Sequence, residues 1–271
     1  MKIAVTGKGG VGKTTLCAAL SRHFAALGLP VLAVDADPDA NLASALPLDD
    51  REGREIAPLA SQKELLRARL GLSNHNEGFF QLNPDVSDLI ERFSATWGGG
   101  RRLLSLGWNK GGGEGCYCAE NAILRRLLQA IPQEDHAVVL IDSEAGLEHL
   151  SRGTVEGIDA VVAVLEPGRR SIQSAFDIRQ LARELRIPRI YPVLNGIRDG
   201  QETRQVEAGL GDWKLAAVLP EDGTIRRADL EGTLPPLTGD YGRNLRSFAQ
   251  RLMEDCHFVP TSWSTAEGVH P

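Results

Sequence analysis

The sequence predicts an α/β fold, a doubly wound and mostly parallel sheet flanked by helices and organised around a phosphate-binding P-loop. Three observations predict it. Short β-rich runs alternate with stretches of helical periodicity, the pattern of a parallel sheet with helical crossovers. Those runs are mostly apolar, as strands covered on both faces require. The first of them ends in a glycine-rich loop that opens directly onto a helix.

Taken in order, strands are expected at Ile3–Thr6, Val31–Asp35, Ala137–Asp142, Ala160–Leu165, Ile190–Asn195 and Leu215–Leu219. The first helix is expected from Thr14 to Leu27, where Leu16, Leu20, Phe24 and Leu27 form one stripe. A second runs from Ile172 to Leu185. The last runs from about Tyr241 to Asp255, with Leu245, Phe248 and Leu252 facing inward. Between Leu46 and Gly115 the rhythm breaks. Two short helices, Gln62–Leu70 and Val86–Trp97, are followed by the apolar run LLSLGW and the glycine cluster KGGGEG. We read about 46–115 as a long insertion in a single ATPase domain spanning 1–256, packed on one edge of the sheet. Long irregular insertions of this kind are usually functional or mobile. The tail, 257–271, has Pro, Ser and Gly and little apolar pattern, and is expected to be flexible.

Composition excludes some function classes. A net charge of −6 argues against a protein whose main task is non-specific binding to nucleic acid, which needs phosphate neutralisation by Lys and Arg. No apolar run approaches the roughly 20 residues of a membrane span. The chain enters a strand at once, without a charged leader and apolar core, so a cytoplasmic location is expected. Four cysteines in 271 residues are too few for a disulfide scaffold. They read as buried small residues, metal ligands or redox groups.

The stretch GKGGVGKTT, Gly7 to Thr15, satisfies two fingerprints at once. Gly7, Gly9 and Gly12 make the pattern of a dinucleotide fold, and Asp35 even supplies its distant acid. Gly7, Gly12, Lys13 and Thr14 make a P-loop. Lys13 and Thr14 decide between them. A P-loop needs the lysine for the β and γ phosphates and the hydroxyl for Mg²⁺, whereas a dinucleotide site uses neither. The backbone amides of Gly7, Lys8, Gly9, Gly10, Val11, Gly12, Lys13, Thr14 and Thr15 are then candidates for the nucleotide site, helped by the positive end of the following helix. The apolar strand AVVLID ends in Asp142, placed to hold the Mg²⁺ shell through water. The second strand ends in DADPDANLA, at the sheet edge where ligands bind. An Asx-rich turn is the plain alternative for that run.

The run KGGVGKTT resembles the deviant P-loop of the MinD/ParA/nitrogenase iron protein class, and the resemblance covers nearly the whole chain. It implies that Lys8 reaches across a homodimer to the partner's nucleotide, a cation supplied in trans as an arginine finger is elsewhere. A solvated loop lysine is the bland alternative. The resemblance also implies that Asp37 positions the attacking water and approaches the Mg²⁺; Asp35 and Asp39 read from the run itself as local supports or outer groups of that site. It places adenine against Asn195 at the end of YPVLNG, with Pro220 lining the base. No NKxD run is present, so ATP is favoured over GTP.

The insertion carries GEGCYCAEN. In an extended segment Cys116 and Cys118 project to one face, so both thiolates can bind one ion. A closed site wants about four ligands, and a two-fold dimer would supply the pair twice. Such a sulfur set suits Zn²⁺ or Ni²⁺. Two incidental cysteines remain the alternative. Cys17 and Cys256 read as packing residues. With this pair in hand, KGGVGKTT, DADPDANLA, GCYCAEN, DSEAGLEHL and RRADLEG together resemble the CooC-type nickel-insertion ATPases. That implies an ATP-driven metallochaperone whose client is carbon monoxide dehydrogenase, with Asp142, Glu144 and Gly146 on a second switch. Ala119 departs from the proline expected after the second cysteine, which leaves room for a related client such as acetyl-CoA synthase. His149 reads as a packed histidine. Arg101 and Arg102 could dock an acidic partner. The competing readings are a positioning ATPase of the ParA or MinD kind and an iron–sulfur reductase of the nitrogenase iron protein type. The first wants a basic DNA surface or a membrane helix, and the second wants a cysteine just after the second switch.

Overall fold

A computed structural model describes residues 1–37, 41–49, 58–69, 71, 85–86, 88–107, 126–127, 137–144 and 157–259. Eight strands form one sheet: β1 (Lys2–Gly7), β2 (Val31–Asp35), β3 (Ala95–Trp97), β4 (Arg101–Ser105), β5 (Val138–Asp142), β6 (Ala160–Leu165), β7 (Ile190–Ile197) and β8 (Ala217–Pro220). Their order is β3-β4-β2-β5-β1-β6-β7-β8, parallel throughout except for the antiparallel β3–β4 pair at one edge. Among the described residues the helices are α1 (Lys13–Ala26), α2 (Lys63–Arg69), α3 (Leu89–Phe93), α4 (Arg169–Glu184), α5 (Gly200–Leu210), α6 (Gly223–Glu231) and α7 (Gly239–Asp255).

The central strands are apolar on both faces because both faces are covered. Ile3, Val5, Ala33 and Leu140 point into one layer, where they meet Leu16, Leu20 and Phe24 of α1 and Leu245, Phe248 and Leu252 of α7. Ala4, Val34, Ile141 and Ala163 point the other way, against Ala175 and Ile178 of α4 and Val206 of α5. This alternation of strand residues between two helical layers is the doubly wound arrangement. All six expected strands are present, the last shifted to Ala217–Pro220.

Two expectations are corrected in the stretch after Leu46. The helix expected over Val86–Trp97 is only Leu89–Phe93, and the chain then enters β3. The apolar run after Gly100 is a strand, β4, rather than an unassigned segment. Thr96 and Trp97 are β-branched and aromatic, and pairing with β4 outweighs their marginal helical pattern. The turn joining them is Gly98-Gly99-Gly100, all three with positive φ. Arg101 locks this hairpin down: its guanidinium donates to the Gly98 carbonyl and, at 2.6 Å, to the Ala25 carbonyl at the end of α1. It is therefore engaged within the chain rather than free to dock a partner.

α5 and α6 went unassigned in the sequence pattern. Both announce themselves by caps: the side chain of Asp199 accepts from the amides of Gln201 and Glu202, and that of Asp222 from the amide of Thr224. Cys17 is fully buried in α1, where burial pushes its thiol up, and Cys256 is half-buried at the end of α7. Both fit packing roles. Among the described residues no helix is long and apolar enough to cross a membrane.

Candidate functional site

The carboxyl ends of β1, β2, β5, β6 and β7 converge on one rim of the sheet, and the loop from Gly7 to Gly12 stands on it. Gly12 caps α1 with φ 90°, and no side chain caps that end. The first-turn amides of α1 are thus left to a ligand, and the helix dipole favours an anion there. Glycine is required at position 12 for a second reason. A Cβ there would lie 2.4 Å from Asn195 Nδ2.

Lys13 is buried, with Nζ 3.8 Å from Asp37 Oδ2. Thr14 donates its hydroxyl to Asp142 Oδ2 at 2.6 Å. Asp142 is fully buried, and its second oxygen, Oδ1, has no hydrogen-bond partner among the described residues. Burial pushes its carboxyl up to about 7; nearby Asp35 adds to the rise, while the Thr14 hydrogen bond and the charge of Lys13 oppose it. Asp35 sits beside it in the β2–β5 register and is raised to about 6, again by burial first. One hydroxyl, three acids and a buried lysine are therefore gathered where the P-loop meets two strand ends.

Asn195 ends up elsewhere than a bare base reader would. A bulge between Asn195 and Ile197 turns its side chain back onto the P-loop, where Nδ2 donates to the Val11 carbonyl at 2.9 Å. Pro220 ends β8 opposite Ile197, next to the start of α6.

Two cavities flank the loop. One of about 290 Å³ lies over Gly10 and Gly12, bounded by Glu166, Asn195 and Arg198. The other, about 90 Å³, begins at Thr15 and runs along α1 past Ala18 and Arg22, roofed by Ile225 and Asp229 of α6 and closed by Tyr241. The Tyr241 hydroxyl is buried without a hydrogen-bond partner among the described residues. Arg22 is held at its wall by donation to the Pro235 carbonyl at 2.9 Å. Sequence reasoning missed this crevice, because its walls come from three helices separated by some two hundred positions. Cys116, Cys118, Gly146 and His149 lie outside the described residues.

A family model for the CobQ/CobB/MinD/ParA nucleotide binding domain matches residues 2–235. The chain belongs to that family. The matched range includes the Gly7–Thr15 loop described above. The chain is a homologue of the carbon monoxide dehydrogenase accessory protein CooC of Rhodospirillum rubrum: 41% identical over 232 residues, or 86% of this chain and 88% of that one. An uncharacterised ATP-binding protein of Methanocaldococcus jannaschii is 38% identical over 73% of this chain and 76% of its own length. In fold, the chain resembles MinD in the MinC:MinD cell division complex of Aquifex aeolicus, with a TM-score of 0.65, 22% identity, and 93% and 95% of the two chains covered.

Proposed function

We propose that the protein is an ATP-hydrolysing, homodimeric metallochaperone that carries nickel, or zinc, on Cys116 and Cys118 and delivers nickel to carbon monoxide dehydrogenase. The observation that carries the reading is the 41% identity to CooC over 86% of the chain. The site chemistry supports it. The amides from Gly7 to Thr15 cradle the phosphates, and Lys13 leaves Asp37 to meet them. Its departure leaves the Asp37 carboxylate to orient the attacking water. Asn195, at the wall of the cavity over Gly10 and Gly12, and Pro220 border the base. Thr14, Asp37 and Asp142 are hard oxygen donors, and the unpartnered Oδ1 of Asp142 is what a hydrated Mg²⁺ would satisfy. When bound there, Mg²⁺ supplies neutralisation of the charge that develops on the phosphates. Lys8 of each subunit reaches the other's nucleotide.

Nucleotide state and metal affinity are coupled in this scheme, and the coupling is reciprocal. Metal content and molar mass, measured with and without ATP, provide the test. The expected result is about one ion per two chains and a dimer, both abolished by joint Cys116→Ser and Cys118→Ser exchange. Stoichiometric metal in that variant would sink the proposed site. Binding to DNA or to lipid vesicles would favour a positioning ATPase instead, and visible absorption of anaerobically purified protein would favour an iron–sulfur reductase.

A further inference from the structure

Asp35 is the second buried acid on the rim, and the sequence marks it only as a support of unspecified kind. It is fully buried at the last position of β2. A carboxylate is costly to bury unless its oxygens are satisfied. Here they are satisfied by two amides. Oδ1 accepts from the amide of Asp37 at 3.3 Å, and Oδ2 from the amide of Leu42 at 2.9 Å. Those amides stand at the two ends of the segment that leaves β2. Leu42 opens the 3-10 turn Leu42–Ala45, and its own side chain is fully buried. Between Asp35 and Asp37, the Ala36 amide donates to the Asp142 carbonyl at 2.8 Å. One side chain therefore holds both ends of the segment carrying Asp37, while the backbone ties its start to the strand carrying Asp142.

We propose that Asp35 is a positioning residue for hydrolysis: its carboxylate fixes where Asp37 stands relative to Lys13 and Asp142 by gripping the amides of Asp37 and Leu42. The inference rests on Asp37 being the group that orients water. A residue retained only for folding would be replaceable by a neutral isostere without specific loss. Asparagine keeps the shape, relieves the buried charge, and turns a donor toward one of the two amides.

The test is Asp35→Asn in the full chain, followed by ATP turnover, affinity for a fluorescent ATP analogue, thermal unfolding, and amide hydrogen exchange at Leu42. Expected are a kcat lower by about tenfold to a hundredfold, the scale of a small misplacement, and faster exchange at Leu42. Affinity should stay within about twofold, as for a group acting only beyond ground-state binding, and the unfolding temperature should be unchanged or raised. A kcat within about twofold of the wild type, a kcat loss matched by lost stability, or a variant that fails to fold would each overturn the proposal. Asp37→Ala is the separate control. If it hydrolyses ATP normally, the reading of Asp37 falls, whatever Asp35→Asn does.

Discussion

Asp142 shows what the site asks of a single residue. Its carboxyl is driven up to about 7 by burial, and Asp35 beside it is raised to about 6. Both native values lie above the unfolded one, near 3.8. The folded state therefore holds more protons than the unfolded state between those limits, and stability falls as pH rises through that window. Below it both carboxyls are neutral in either state and the penalty vanishes. Chemical denaturation of the nucleotide-free protein between pH 4 and 8 should show this decline, and Asp142→Asn should flatten most of it. A wild-type profile that rises across this range would refute the assignment of burial as the dominant cause. Legibility at this scale was uneven. Lys13 and Thr14 stand out by their spacing from the loop glycines, and Asp142 by ending an apolar strand. The Val11 contact of Asn195 could not be found that way, because a bulge sets it. The Tyr241 hydroxyl could not either, because only packing of α7 against α1 and α6 brings it to the crevice.

At the scale of elements, the P-loop is held from below as well as shaped by its glycines. Asn195, at the end of β7, donates to Val11 and abuts Gly12, so the strand end braces the loop. Gly12→Ala meets two penalties, a Cβ 2.4 Å from Asn195 Nδ2 and a side chain forced to φ 90°. The left-handed backbone alone costs about 1–2 kcal/mol, which corresponds to roughly tenfold in affinity for a fluorescent ATP analogue. The clash with Asn195 adds to that loss. Full wild-type binding by Gly12→Ala would mean that the loop adopts another conformation when loaded. The central strands and the helices α1, α4 and α7 were plain in the sequence because a covered strand and a one-sided helix leave unmistakable apolar periods. The β3–β4 hairpin was not: β3 is only three residues long, β4 five, and their register depends on a glycine turn and on Arg101 bonding back to α1. The helices α5 and α6 are short and mostly polar, and only their capping aspartates mark them.

For the whole molecule, the decisive question is whether a complete site needs two chains. Lys13, the lysine proposed to meet the phosphates, has its amine 3.8 Å from Asp37. Lys8 is therefore either an idle loop residue or a group meant for a second copy. Mixing two defective variants separates these cases. Lys8→Ala keeps its own Asp37, and Asp37→Ala keeps its own Lys8. Neither should hydrolyse ATP alone. If the lysine acts in trans, a mixed dimer contains one intact site: the pocket of the Lys8→Ala chain, with its own Asp37 and the partner's lysine. The other pocket lacks both groups. Random pairing of equal amounts makes about half the dimers mixed, so turnover should recover to about one quarter of wild type. If the lysine acts within its own chain, both pockets of every mixed dimer lack one group, and mixing restores nothing. Asp37→Ala is the better partner than a Lys13 variant because it leaves the phosphate-binding lysine in place, so both pockets can load and closure is not itself at issue. Recovery that grows with total protein concentration would tie the second chain to catalysis directly, a flat baseline would place the lysine's action within its own chain, and a Lys8→Ala chain that hydrolyses ATP alone would leave Lys8 as a solvated residue of the loop.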